Sequence, residues 1–372
     1  MRLCHIVPSL EARYGGPSKS VHSISNALAT EGHIVELLST APNPVAPSTD
    51  GRLTIEIFRR DSPQFLCPSH ELKQRLEKLD VEIVHNHGLW LRPLGYAKSI
   101  SVKKKTPLVV APRGMMGPWA WNHHRLRKWL CTLFVHPGAF ETVRGWHATS
   151  GAEADDIRRL GFKAPICIAP NGVSAPTLEA IDEGSRLWFE KVPDAKNRPV
   201  ALFYSRFHSK KRVKELIQLW TERKTSDWLL LIVGIPEEFS KADLSAYVES
   251  LNASNNIRVF SGTGLPPPYP IASIFILPSH NENFGMSIAE AMAHEVPVLV
   301  TDATPWKRLE EQRLGWCVPW KAFGETLEMA LAEGPTLLKA RGKSAKSWVL
   351  SEFSWARSAN ILSDFYQTLR SQ

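Results

Sequence analysis

The sequence predicts an α/β protein built from doubly wound parallel sheets in two domains. Three observations carry that expectation. Apolar runs of strand length alternate with helix-periodic stretches along the whole chain. At 372 residues the chain exceeds one ordinary domain, and an apolar fraction of 43% supplies two cores. Two of the strand-like runs lead directly into polar, charged loops and then helices, and open parallel sheets place their ligands at such carboxyl ends.

In chain order, the expected strands of the first half are Arg2 to Pro8, Ile34 to Ser39, Thr54 to Phe58, Val81 to His85, Leu108 to Ala111, Trp146 to Ala148 and Ile166 to Ala169. Those of the second half are Val200 to Phe203, Leu229 to Val233, Ile257 to Phe260, Ile274 to Leu277 and Val298 to Val300. Between them, 174–197 is polar, weakly periodic and rich in Pro, Gly and Asp, as linkers tend to be. The expected organisation is therefore a domain at 1–175, a linker at 176–197, a domain at 198–350 and a final helix in 351–372. No internal repeat or low-complexity tract interrupts it.

The most informative run is SHNENFGMSIAE, Ser279 to Glu290, in which Glu282 and Glu290 bracket seven residues. It follows the apolar stretch Ile274 to Leu277, and Ile288, Ala291 and Met292 then recur at helical spacing, so the run reads as strand, turn, helix. The amides of Asn283 to Ser287, including Gly285, fall at the start of that helix, where unpaired N–H groups and the helix dipole suit a diphosphate. A carboxylate accepting two hydrogen bonds is a natural partner for vicinal hydroxyls, and Glu282 and Glu290 flank the phosphate cradle. Taken alone, the pair is a solvated helix start. Upstream, Val200 to Phe203 leads into Ser205, Arg206, Phe207, His208, Ser209, Lys210 and Lys211, followed by Val213, Leu216, Ile217 and Trp220 at helical spacing. Arg206 and Lys211 would then project from a strand's carboxyl end and neutralise charge on a leaving diphosphate, although a basic loop alone is ordinary solvated surface.

Together these motifs, SRFHSKKRV, LIVG, SGTG and ILPSHNENFGMSIAEAMAHEVPVLV, resemble the retaining glycosyltransferases of sequence family 4. Gly15-Gly16-Pro17, HNHGLW at His85 to Trp90 and PNGV at Pro170 to Val173 extend the resemblance over nearly the whole chain. PRGMMGPWA at Pro112 to Ala120, TPW at Thr304 to Trp306 and GWCV at Gly315 to Val318 resemble the branch that builds bacterial surface polysaccharides. The resemblance implies the GT-B architecture, two Rossmann-like lobes facing across a cleft, with the final helix crossing back to the first lobe. It implies a nucleotide-sugar donor, UDP- or GDP-linked, and a saccharide or lipid-linked saccharide acceptor in lipopolysaccharide, O-antigen or exopolysaccharide assembly. By the same resemblance Arg206 and Lys211 are the donor-diphosphate cations, Glu282 meets the transferred sugar and Glu290 holds the ribose. The amides of Phe284, Gly285 and Met286, with Asn283 beside them, would meet the donor. Gly15 and Gly16 would admit the diphosphate closely, and His87 would be a cleft residue.

This chain also departs from the family pattern. Arg113 stands where many relatives carry a histidine; it can stabilise phosphate charge but cannot act as a base. Arg212 and Glu295 replace glycines, which bears on loop conformation. No Asp-x-Asp triplet occurs, so neither metal nor other cofactor is expected, and no residue is a convincing covalent nucleophile. Same-face attack by the acceptor is the mechanism implied.

The five dispersed cysteines suggest reduced thiols in a cytoplasmic setting. Met1 to Leu10 holds only a brief apolar strand, which argues against a secretory signal, and no run approaches bilayer length. A formal charge of +8 invites an anionic partner. WAWNHHRLRKW, Trp119 to Trp129, has two readings: an amphipathic helix on an anionic membrane surface, giving peripheral association, or one whose tryptophans pack on the core. His85 and His87 share a strand face, and a metal pair is conceivable there, without an evident third ligand. His123 and His124 read as surface, and Trp306 and Trp316 as either sugar platform or core. A dinucleotide-dependent dehydrogenase is disfavoured because no G-x-G-x-x-G follows the first strand. Nucleic acid would fit the charge but not the Glu282 and Glu290 spacing. The nearest rival is a sugar-nucleotide epimerase or hydrolase on the same fold.

Overall fold

The computed structural model describes residues 1–11, 16–223, 225 and 227–371. The chain divides into two compact units, 1–172 with 353–372, and 173–352.

The first unit holds β1 (Arg2–Ile6), β2 (Ile34–Ala41), β3 (Ser48–Asp50), β4 (Leu53–Arg59), β5 (Ile83–His87), β6 (Leu108–Ala111), β7 (Val143–Ala148) and β8 (Ile166–Ile168). They form one sheet in the order β3-β4-β2-β1-β5-β6-β7-β8, parallel except for the β3–β4 edge. The last helix, Trp355–Arg370, belongs to this unit and buries Ala359, Leu362, Tyr366 and Leu369. Two glycines make room for it. A Cβ on Gly145 would overlap Phe365 and Leu369, and one on Gly172 would overlap Trp355.

The second unit holds β9 (Val200–Tyr204), β10 (Leu229–Gly234), β11 (Ile257–Ser261), β12 (Ile274–Leu277), β13 (Val298–Thr301) and β14 (Gly315–Val318). All pairs are parallel, in the order β11-β10-β9-β12-β13-β14. Every residue of β10, β12 and β13 is buried, which explains why these strands read as unbroken apolar runs rather than alternating ones. The chain proceeds outward in one direction from β9 and in the other from β12. The sheet's topological switch point therefore lies between two neighbouring strands, and a crevice opens at their carboxyl ends.

One expectation is corrected and two strands are added. The stretch 176–197 is not a free linker. Helix Leu178–Lys191 fills most of it, and Trp188, fully buried, donates from Nε1 to the Pro266 carbonyl at 2.9 Å. Its apolar residues are too sparse to show a clear period, because a single tryptophan carries much of the anchoring. β3 and β14 were also not anticipated. β3 is an exposed polar edge, and β14 has only four residues, beginning at Gly315, where any Cβ would overlap the Val298 carbonyl.

Close packing also explains Gly342, within the helix Pro335–Glu352, whose Cβ would overlap the Glu295 carbonyl. Gly342→Ala is expected to destabilise the second unit by about 1–3 kcal/mol. A urea midpoint unchanged from wild type would refute that packing.

Candidate active site

The second unit assembles its site from the loops that follow β9 and β12. After β9 the chain is strapped to the loop after β10. The Phe207 amide donates to the Ile235 carbonyl at 2.9 Å, and the Phe207 side chain is fully buried. Gly234 allows this approach, since a Cβ there would overlap the Ser205 carbonyl and the Phe207 ring. Arg206, held on this strap, pairs with Glu237 at 2.8 Å while remaining largely exposed. A short 3-10 turn, Ser209–Lys211, follows, capped by the His208 ring, which accepts the Lys210 amide at 2.9 Å. Lys211 is nearly buried at 8% exposure.

The loop after β12 meets that turn. The His280 amide donates to the Lys210 carbonyl at 2.8 Å, and Lys211 forms an ion pair with Glu282. Ser279 Oγ donates to the same Glu282 oxygen, Oε1, at 2.7 Å, so both contacts fall on one side of the carboxylate. Gly285 then caps the helix Met286–Ala293 with φ +80°, and a Cβ there would crowd Ile288. No side chain caps this helix, and the Ile288 amide donates to the Gly285 carbonyl at 2.9 Å. Phe284 is buried under Trp306, whose Nε1 donates to the Phe284 carbonyl at 2.6 Å. Trp306 is thus core, fixing the loop from behind.

Glu290 lies one turn into the helix and is half-buried. Tyr269 donates to its Oε2 at 2.9 Å and packs against Tyr204 and His294. Burial, and then the nearby Glu290 charge, pushes the Tyr204 phenol up to about 12 and that of Tyr269 well above its ordinary value. Both phenols are therefore neutral, and Tyr269 is a hydrogen-bond donor that orients the carboxylate. Sequence reasoning missed Tyr269; its run of prolines, PPPYP, carries no periodic signal.

The two departures from glycine are explained by backbone geometry. Arg212 has φ +52° and Glu295 has φ +63°, so both positions demand the left-handed conformation that favours glycine. The loops keep their shape, and each side chain finds partners. Arg212 reaches the His280 ring at 2.8 Å and stacks over Trp320, while Glu295 pairs with Lys346 at 2.9 Å.

The first unit brings a different set together. His87, at the end of β5, stacks on His85 with ring centroids 4.1 Å apart. Contrary to the expectation of an isolated pair, His5 from β1 and His147 from β7 join them, all four buried. Desolvation holds all four well below the ordinary imidazole range, His5 and His147 down to about 3, so they are neutral. Donor logic then fixes their tautomers. Arg113 Nη2 donates to His87 Nδ1 at 3.0 Å, so His87 Nε2 donates to His5 Nδ1, also at 3.0 Å. His147 Nε2 donates to the Ala169 carbonyl at 2.9 Å, leaving Nδ1 to accept from His85 Nε2 at 3.4 Å, and His85 Nδ1 accepts from Tyr366 at 2.6 Å.

His5, His85 and His87 place ligand atoms within 4.8 Å of one another, the spacing of a metal site. Their basic nitrogens are nonetheless all occupied, by His87, Tyr366 and Arg113 in turn. A metal would have to break this relay beside a guanidinium, so the donor set does not fit one.

Arg113 also donates to Asn171 Oδ1 at 2.8 Å and has φ +55°. Burial lowers its pKa to about 10, which leaves it charged at neutral pH. Gly16 begins the helix Gly16–Thr30, and a Cβ on it would meet nothing within 4 Å among the described residues. Gly15 lies outside the described residues.

Doubly wound parallel sheets thus place a cation, a helix start without a side-chain cap and two carboxylates at one switch point. The family profile "Glycosyltransferase Family 4" matches residues 14–175, and "Glycosyl transferases group 1" matches residues 185–348. The chain belongs to the glycosyltransferases of sequence family 4, with the GT-B fold. It is 26% identical over 279 residues, 67% of each chain, to the GDP-mannose:cellobiosyl-diphosphopolyprenol alpha-mannosyltransferase of Komagataeibacter xylinus. A protein of the same name from Xanthomonas campestris is 22% identical over 324 residues, 83% of this chain and 80% of that one. Among solved structures, sucrose-phosphate synthase from Thermosynechococcus elongatus superposes over the full length of both chains with TM-score 0.77 at 18% identity. WaaG, a glycosyltransferase involved in lipopolysaccharide biosynthesis, gives TM-score 0.69 at 14% identity over 98% of this chain and 99% of its own.

The imidazole relay has a pH consequence. Groups whose pKa is lower folded than unfolded bind protons preferentially when unfolded, so stability is full above about pH 6.5 and falls as pH drops toward 3. Each imidazole should cost up to about 1.4 kcal/mol per pH unit across that window. Hydrogen exchange of β1 and β5 peptides along urea series at pH 7 and pH 5 measures this; equal midpoints would contradict neutral burial.

Proposed function

We propose that this glycosyltransferase moves a hexose from a nucleotide-diphosphate sugar to a saccharide or lipid-linked saccharide during assembly of a bacterial surface polysaccharide, on the cytoplasmic side of a membrane. The observation that carries the reading is the convergence of Lys211, Glu282, Glu290 and the Met286 helix start on the switch point between β9 and β12. Two relatives are named for GDP-mannose, which makes that donor the first candidate over UDP sugars.

Lys211 and Arg206 neutralise the diphosphate together with the amides of Phe284, Gly285 and Met286. Glu282 keeps Oε2 for sugar hydroxyls while Lys211 and Ser279 hold Oε1. Glu290, oriented by Tyr269, accepts the ribose hydroxyls. In the first unit, Arg113 supplies a polar edge for a sugar or phosphate at the end of β6; His87, expected as a cleft residue, is buried with both ring nitrogens taken by Arg113 and His5, and so positions the guanidinium instead.

The reaction retains anomeric configuration and needs no metal. The bond from the anomeric carbon to the phosphate oxygen breaks as the acceptor oxygen bonds to the same face, and the departing phosphate oxygen takes the acceptor's proton. Fixed charge and fixed amides lower that barrier without reorganising.

The test is incubation with GDP-mannose or UDP-glucose, with and without polyprenyl-diphosphate disaccharide, in the presence of a chelator. Acceptor-dependent transfer with a retained anomer by NMR is expected, and Glu282→Ala should lower kcat by about a hundredfold. An inverted anomer would overturn the mechanism. Donor consumption without transfer would favour the hydrolase or epimerase.

A further inference from the structure

The segment Trp119 to Phe134 is not packed as either core or ordinary surface. It forms two short helices, Pro118–Asn122 and Arg125–Leu130, broken at His124 with φ +53°, and the second runs on as a π-turn, Cys131–Val135. One side is anchored. Trp121 packs on Trp90 with centroids 5.2 Å apart, and Lys128 turns inward over Trp90 to the Ala120 carbonyl. Arg92 donates to the carbonyls of Phe134 and Val135 at 3.1 and 3.0 Å.

The other side is apolar and exposed. Leu126, Trp129, Leu130, Leu133 and Phe134 follow the 3.6-residue period that normally marks a buried stripe, yet their exposures run from 41% to 71%, and Trp119 adds 54%. Arg125 and Arg127 are exposed beside the stripe. Along the sequence its charge is one-sided: no Asp or Glu occurs between Glu82 and Glu141, an interval holding nine Lys and Arg.

We propose that this face docks on a bilayer carrying anionic lipid, the stripe entering the acyl boundary and Arg125 and Arg127 meeting headgroups. A contiguous apolar stripe with aromatic members, flanked by cations and lacking any acidic neighbour in sequence, matches the charge and polarity of such an interface better than that of a second copy of this basic chain. No helix among the described residues is long and apolar enough to cross a membrane. Docking by this face deepens the reading of a lipid-linked acceptor and rests on that reading only for its purpose.

The test is flotation of the full chain with phosphatidylcholine vesicles, with and without phosphatidylglycerol. Wild type should float only with the anionic vesicles. Leu126→Ser/Trp129→Ser/Phe134→Ser and Arg125→Glu/Arg127→Glu should each lower partitioning by about tenfold or more. These side chains are exposed, so the fold tolerates both variants, and unchanged GDP and UDP binding in the variants checks that. Failure of wild type to float, or flotation of both variants at the wild-type level, would overturn the docking face. So would loss of a concentration-dependent dimer in the apolar variant without any vesicle effect. Nucleotide binding with no flotation would remove only the docking proposal; flotation with no nucleotide binding would remove only the proposed activity.

Discussion

Where two adjacent parallel strands send their connections in opposite directions, no crossover covers the gap between their carboxyl ends. In the second unit those strands are β9 and β12, and this constraint sets everything that follows. The loop from each strand must stand beside the other, and the Lys211–Glu282 ion pair, with the bond from the His280 amide to the Lys210 carbonyl, ties them. A cation, a carboxylate and a helix start without a side-chain cap are thereby held on two loops that are tied to each other.

What fixes them is mostly out of sight of the crevice. Trp306 grips the Phe284 carbonyl, Gly234 lets the Arg206 strap close on β10, and Tyr269 orients Glu290 from a proline-rich turn. The first unit solves a related problem with neutral groups. Its sheet also reverses between β1 and β5, and there the buried imidazoles of His5, His85, His87 and His147 pass hydrogen bonds from Arg113 and Tyr366. Burying the four rings in neutral form avoids the cost of burying charge, with His5 Nε2 left without a partner among the described residues at the end of one chain, and the other chain links the final helix, through Tyr366, to the strand that carries His87.

Much of this was legible in the sequence because parallel strands buried on both faces are written as plain apolar runs; β10 and β12 are examples. The charged residues at the switch point were legible because their order along the chain matches the order strand, loop, helix. Harder to read were elements whose reason lies in distant packing. Helix Leu178–Lys191 hangs on Trp188, β14 exists because Gly315 fits against Val298, and the third and fourth histidines come from strands far away in sequence. Arg212 and Glu295 look like losses of glycine, yet the backbone stays left-handed at both, with a strain of about 1–2 kcal/mol per residue set against local contacts.

If the switch point between β9 and β12 is the donor site, it binds a nucleoside diphosphate through Glu290 and Lys211. Calorimetric titration of the purified protein with GDP, UDP, ADP and NAD, repeated on Glu290→Ala, tests it most directly. Selective binding of one nucleoside diphosphate is expected, weakened by about tenfold or more in the variant. Binding unaffected by Glu290→Ala, a preference for NAD, or no binding to any of the four would contradict it.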